Sequence, residues 1–442
     1  MGKYRPGRRA LTGATIVAAA SLGLAACSSS GSDDSPSDGA SAAGGSDVEL
    51  RLAWWGSDSR HSATQEVIDA FEEANSGITV VGEFSDWGGY WDKLATATAG
   101  GNAPDVIQMD QLYLASYAER EVLSNLADYS ALDMSHLGDS VLGMGQVDGA
   151  QYAMPISTTS FTLLVNQDVL DELGLTLPDT DAWTWDELGE FASSVTEASS
   201  GDVVGIGPMN NEYSLQLWAR QHGEALFTDG NVSISEDGLA SYFQLALDWA
   251  QSGAGAPADQ YSEQAALTLD QSDFATGKQA MSFTQSTQIA AYTTASNGAN
   301  LVPVKIPTED ANATPYAYLK PGMYWSLSSQ SKHPEEAAQL IDFLVNDPAA
   351  TSIIGTERGL PANPDTVEQL SGNLSPEETK AVEYTETLDP ILGDAPEIVP
   401  NGASDTDPLI QRYLLEVMFE QSSPADAAAS FISELQSSID AA

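Results

Sequence analysis

Trp54, Trp55, Trp87, Asp110 and Gln111 each stand where a strand-like stretch gives way to polar or turn-forming residues. In open α/β sheets a ligand binds in the crevice outside the carboxyl ends of the strands, so these side chains are expected on one rim. Asp58, in the turn Gly56-Ser57-Asp58, joins them, because a carboxylate such as Asp58 or Asp110 can accept hydrogen bonds from two hydroxyls at once. Tyr324 and Trp325 are further large aromatics near a strand exit. Bond-breaking chemistry has less support. His61, His136, His222 and His333 are scattered, with no H-E-x-x-H spacing and no cysteine partner, which speaks against zinc. There is no G-x-S-x-G elbow and no Walker loop. Gly143-Met144-Gly145-Gln146 lacks the third glycine of a dinucleotide fingerprint, and Asp229 to Glu236 has Ile234 where a calcium loop needs glycine. No catalytic residue, metal or cofactor is expected.

The elements that must position these groups follow from periodicity. Val48 to Trp55 reads as a buried strand. Ser62-Ala63-Thr64-Gln65 has the form of a capping box opening a helix whose Val67, Ile68 and Phe71 share a face, and Asn75-Ser76-Gly77 stops it. Ile78 to Phe84 is a second strand, a helix runs from about Tyr90 to Ala99, and Val106 to Met109 is a third strand ending at Asp110-Gln111. Strand, helix, strand order argues for a parallel sheet. Further on, Leu239, Tyr242, Phe243, Ala246, Leu247 and Ala250 form a 3.6-residue core stripe. Ser375-Pro376, Asp407-Pro408 and Ser423-Pro424 each pair an N-cap with proline at the first helical position. Trp91, Trp183, Trp185 and Trp249 fall at helix or helix-start positions and are expected in the core.

The chain of 442 residues carries a formal charge of −48. Lys3, Arg5, Arg8 and Arg9 precede a weakly apolar run from Ala10 to Ala26, the charged and apolar regions of a signal peptide. Leu24-Ala25-Ala26-Cys27 resembles the bacterial lipobox, which implies cleavage before Cys27, lipidation of its thiol and anchoring at the extracytoplasmic face of the membrane. Export by the Sec or the twin-arginine route is left open. Residues 27–46, rich in Ser, Gly, Ala and Asp, are expected to form a disordered tether. With the four leader cations removed, 12 basic residues remain against 64 acidic ones, a net charge of −52. Nucleic acid is therefore excluded as a partner, and a soluble monomer is expected. Cys27 is the only cysteine, so the folded body has no disulfide option.

Several stretches, kept in order, carry a family likeness. They are Gly89-Tyr90-Trp91-Asp92-Lys93-Leu94 with Gly101-Asn102-Ala103-Pro104-Asp105-Val106, Gln151-Tyr152-Ala153-Met154-Pro155 with Leu164-Val165-Asn166-Gln167-Asp168, Thr184-Trp185-Asp186-Glu187-Leu188, Phe274-Ala275-Thr276-Gly277-Lys278-Gln279-Ala280-Met281, and Ser331-Lys332-His333-Pro334-Glu335-Glu336-Ala337. Together they resemble the maltose-binding-like solute-binding proteins of ABC importers, extracellular solute-binding family 1. Val165 and Gln167 depart from that family's aromatic and lysine. The resemblance implies an α/β, two-lobed periplasmic-binding-protein-like fold of type II, each lobe a mainly parallel sheet flanked by helices, with three hinge crossings near Pro155, Pro303 and Asn346. The lobes would comprise 47–155 with 303–346, and 156–302 with 347–442. It further implies a carbohydrate ligand held between the lobes and delivered to ABC permease transmembrane subunits. Glu212, Gln285 and Arg358 occupy positions that face ligand in the family, and Gly322-Met323-Tyr324-Trp325 matches its glycine-rich cleft segment. A surface carbohydrate-active enzyme or glycan-binding adhesin is the alternative.

Overall fold

A computed structural model describes residues 48–56, 58–264, 267–309 and 316–442. The expected signal peptide at 1–26, Cys27 and the tether at 27–46 lie outside the described residues. The first strand, β1 (Val48–Trp55), alternates Leu50, Leu52 and Trp54 toward one core with Ala53 and Trp55 toward another. That period of two lets one strand bury both faces of a sheet. Helix α1 (Asp58–Ala74) packs Val67, Ile68 and Phe71 on the first of these faces, and the chain returns as β2 (Ile78–Ser85), parallel to β1 from Val48↔Ile78 to Trp55↔Ser85. Helix α2 (Trp87–Ala99) covers the other face, and β3 (Val106–Met109) pairs parallel to β1 on its far side before helix α3 (Gln111–Glu119) begins.

Two helix starts differ from expectation. Helix α1 begins at Asp58, ahead of the Ser62 box, and the Ser62 hydroxyl donates to the Asp58 carbonyl as an interior helical residue. Helix α2 begins at Trp87, because Asp86 caps it by accepting from the Gly89 N–H at 2.9 Å.

Seven further strands complete two large sheets, and two small hairpins, Gln146–Val147 with Ala150–Gln151 and Phe227–Thr228 with Asn231–Val232, stand outside them. β4 (Met154–Thr159), β9 (Lys320–Leu327) and β10 (Leu360–Pro361) complete the first, in the order β10-β4-β9-β3-β1-β2. β5 (Phe161–Asn166), β6 (Val204–Ile206), β7 (Gln279–Gln285) and β8 (Leu301–Val304) form the second, in the order β8-β5-β7-β6. Each sheet carries its own helices and core, so the protein is a two-lobed α/β fold.

The sheets are mixed rather than mainly parallel. β9 runs antiparallel to both β3 and β4, and β5 runs antiparallel to both β7 and β8. These are the strands that enter a sheet directly from the other lobe, without the helical crossover that parallel pairing requires. The changes of sheet also fall later than expected. Only Ser160 separates β4 from β5, so the first lies there and not at Pro155. The second falls between Val304 and Lys320. Past Asn346 the chain stays with the first sheet, because helix Pro348–Ile354 packs on α1 and β10 pairs with β4. It rejoins the second sheet with helix Pro376–Glu386, which packs against β8.

Local signals for helix ends hold at Thr184, where a full capping box precedes helix Trp185–Ala198, and at Ser375 and Ser423, which each cap a helix with proline in its first turn. Trp91, Trp183, Trp185 and Trp249 are all buried. Gly205 in β6 marks a close approach: a Cβ there would collide with the Ala192 backbone of helix Trp185–Ala198. Gly205→Ala is expected to push that helix off its strand and cost about 1–3 kcal/mol, read from the urea midpoint. No helix among the described residues is long and apolar enough to cross a membrane.

Candidate functional site

Four charged side chains, two from the first sheet's strand ends and two from helices of the second lobe, come together. Asp110 follows β3 and caps α3, its Oδ1 accepting from the Leu112 N–H at 2.9 Å. Lys320 opens β9, and its Nζ donates to Glu212 Oε2 at 2.5 Å. Glu212 begins helix Glu212–Gln221, where its backbone N–H donates to Asp407 Oδ1 at 2.6 Å. Asp407 lies inside helix Thr406–Met418, so the expected cap at Asp407-Pro408 is not formed and its carboxylate serves the neighbouring helix instead. Asp110 and Lys320 belong to the first sheet, Glu212 and Asp407 to the second lobe. Leu112, the second residue of α3, packs against the core of that second lobe, so the start of α3 is at the contact between them.

The electrostatics follow from burial. Removal from water raises the Asp110 and Asp407 carboxyls; Lys320 lowers both but does not cancel the effect, and Glu212 adds to it. Burial pulls the Lys320 ammonium down, yet Glu212, Asp407 and Asp110 together outweigh that pull, so its pKa is raised. The shared logic is that one cation sits among three carboxylates in a poorly solvated place.

An aromatic wall adjoins Asp110. Trp55 lies edge-on to Trp87 at 5.0 Å between ring centroids, and Trp91 stacks on Tyr113 at 3.9 Å. Trp87 closes the group against Tyr113 at 6.1 Å and is itself 41% exposed. Burial, then Asp110 and Asp405, raise the Tyr113 hydroxyl, which places this ring beside charged groups of both lobes. Gln111, next to Asp110, is 3% exposed, and neither atom of its amide has a hydrogen-bonding partner among the described residues.

A family model described as bacterial extracellular solute-binding protein matches residues 66–384. The chain belongs to the bacterial extracellular solute-binding protein family. The diacetylchitobiose binding protein DasA of Streptomyces coelicolor is 24% identical over 431 residues, 95% of this chain and 96% of that relative. Among solved structures, a periplasmic solute-binding protein of Pectobacterium atrosepticum superposes with a TM-score of 0.77 at 23% identity, covering 89% of this chain and 99% of its own. A periplasmic oligogalacturonide binding protein of Yersinia enterocolitica, in complex with saturated digalacturonic acid, gives a TM-score of 0.71 at 22% identity, over 89% and 99% of the two chains.

For this solute-binding protein, the side chains expected to line the site separate into three groups. Asp110, Gln111 and Glu212 meet at the lobe contact, with Trp55 and Trp87 in the adjoining wall. Asp58 is exposed at the start of α1, and Gln285 is half-buried at the end of β7. Four others are enclosed. Trp54 is buried in the first-sheet core, its Nε1 donating to His61 Nδ1 at 3.0 Å. Trp325 has no exposed surface and lies in the same core. Tyr324 points to the opposite face, where its hydroxyl donates to the Met144 carbonyl at 3.0 Å. Arg358, equally enclosed, donates to Gln108 Oε1 at 3.2 Å and Thr64 Oγ1 at 2.7 Å. Burial, with repulsion from Arg60, lowers its pKa to about 9 against a partial offset from Glu357. Trp54, Tyr324, Trp325 and Arg358 therefore present no surface to a cleft in this structure, because the packing on the two faces of the first sheet encloses them. Lys320, Asp407 and Tyr113 were not foreseen. Lys320 carried a usable signal, since a cation is scarce in a chain this acidic; Asp407 carried none beyond its proline.

Proposed function

We propose that the protein is the solute-capturing, lipid-anchored component of a sugar importer, holding a mono- or oligosaccharide between its lobes and delivering it to an ABC permease. The single observation that carries this reading is the exposed ring of Trp87 with the half-buried ring of Tyr113 beside Asp110, backed by the buried Trp55 and Trp91, where Asp110 lies close to Glu212 and Asp407 of the other lobe. Flat aromatic surface suits the apolar face of a pyranose, and carboxylates accept its hydroxyls in pairs. The sugar-binding relatives named above support it. A solute bridging both lobes favours the closed state through contacts made only there, so no bond need be made or broken. Lipidation at Cys27 would hold the receptor at the outer face of the membrane, near its permease. The lobes of this reading meet at Ser160, between Val304 and Lys320, and between helices Pro364–Leu370 and Pro376–Glu386.

Calorimetry against a sugar panel should show one-to-one binding with no product formed, and small-angle scattering should show compaction on binding. Steady turnover of a glycoside, or binding without compaction, would overturn the reading. Trp87→Ala is expected to weaken binding about tenfold, the equivalent of ~1.4 kcal/mol, while the melting temperature moves little, because the indole is the exposed member of the wall.

A further inference from the structure

The charge count at the lobe contact says what kind of solute fits there. Asp110, Glu212 and Asp407 surround the single ammonium of Lys320, which leaves two negative charges without a counter-charge. Each carboxylate has a protein donor to one oxygen only: Leu112 N–H to Asp110 Oδ1, Lys320 Nζ to Glu212 Oε2, and Glu212 N–H to Asp407 Oδ1. Asp110 Oδ2, Glu212 Oε1 and Asp407 Oδ2 receive no hydrogen bond from the described residues. Glu212 is 4% exposed, so water does not compensate it freely. Uncompensated carboxylates in such a place are costly, and what relieves them is a cation with several N–H donors. Hydroxyls would satisfy the lone pairs but leave the charge. The amide of Gln111, the residue that follows Asp110, is buried without a partner among the described residues, a second and independent vacancy for hydrogen bonding at the start of α3. Tyr113, whose hydroxyl is raised in part by Asp110, and Trp87, 6.1 Å from it between ring centroids, add aromatic rings of the kind that favour a cation.

We propose that the solute carries a protonated amine, received by Asp110, Glu212 and Asp407 at the floor of the cleft. An amino sugar with its nitrogen free fits this description; a uronic acid does not, because its carboxylate would add to an existing excess of like charge. The inference rests on the sugar-binding reading above for the rest of the ligand, but the amine and the sugar are tested separately.

Calorimetry on the folded chain would use four probes: the glucosamine disaccharide with free amines, its N,N′-diacetyl form, digalacturonic acid and spermidine. The free-amine disaccharide should bind about tenfold or more tightly than the diacetyl form, as charge-assisted hydrogen bonds exceed neutral ones, and digalacturonic acid should not bind. Asp407→Asn should remove most of that preference, bringing the affinities for the free-amine and diacetyl disaccharides to within about twofold of each other. Equal affinity for the amine and diacetyl forms, or binding of digalacturonic acid, would overturn the amine while leaving the sugar reading intact. Binding of spermidine but of no saccharide would do the reverse. No binding of any probe by a protein shown to be folded would overturn both.

Discussion

Lys320→Met is expected to destabilise the protein by about 3–5 kcal/mol at neutral pH, the usual consequence of removing one partner of a buried ion pair. Methionine keeps most of the volume of the lysine stem, so packing is not what is lost. The loss is the cation paired with Glu212, whose carboxylate is at 2.5 Å from Nζ, with Asp110 and Asp407 close behind. The pH dependence supplies the sign. Asp110 and Asp407 already have raised pKa values in the folded state, through burial first and then through Glu212. A carboxyl raised on folding binds more protons folded than unfolded, so its contribution to stability improves as pH falls through the raised value toward the unfolded value near 3.9. Without Lys320 the rise is larger, so the gap between variant and parent should narrow as pH is lowered from 7 to about 5. Urea midpoints at the two pH values measure this. Glu212→Gln in the Lys320→Met background should recover part of the loss, because it removes the charge that lost its partner. A deficit below about 1 kcal/mol that is the same at both pH values would mean that water screens the cluster, and the argument for an amine-bearing solute would lose its basis.

How much of this was legible in the residues depends on the range of the interaction that decides each feature. Strands β1 and β3, the core role of Trp91, Trp183, Trp185 and Trp249, and the caps at Thr184, Ser375 and Ser423 are set by neighbours within a few positions, and local pattern reads them correctly. The mixed sheet direction was not legible, because it depends on where β9 and β5 dock after a distant excursion. Nor was the continuation of the first sheet through β10, a strand of two residues with no period to detect. At the candidate site, the position of Asp110 and Gln111 just past β3 was legible because strand exits are a local property. Lys320 and Asp407 were missed because their meaning arises only when four elements, far apart in the chain, are folded together. The aromatic reading failed for a related reason. At a strand exit, alternate residues go to opposite faces, and pattern alone does not say which face a third layer covers.

Trp325 makes that point testable. Read as a rim aromatic, Trp325→Ala would weaken solute binding and leave the fold intact; enclosed as it is, the opposite is expected. The indole has no exposed surface, lies in the first-sheet core, and has the Arg358 guanidinium 5.4 Å from its ring centre. Its Nε1 has no partner among the described residues, so truncation forfeits packing and the cation–π contact but no hydrogen bond. A cavity of that size costs about 3–5 kcal/mol, and Arg358, already held to a pKa of about 9 by burial and Arg60, would lose one of the few groups that favours its charge. Trp325→Phe, which refills most of the space, should recover the larger part. Denaturant unfolding at neutral pH separates these variants. Affinity measured on the folded fraction should stay within about twofold of the parent for both, in contrast to Trp87→Ala, which should lose affinity while keeping its stability. If Trp325→Ala instead bound weakly at undiminished stability, the ring would have to face the solute, and the core boundary drawn through β9 would be wrong.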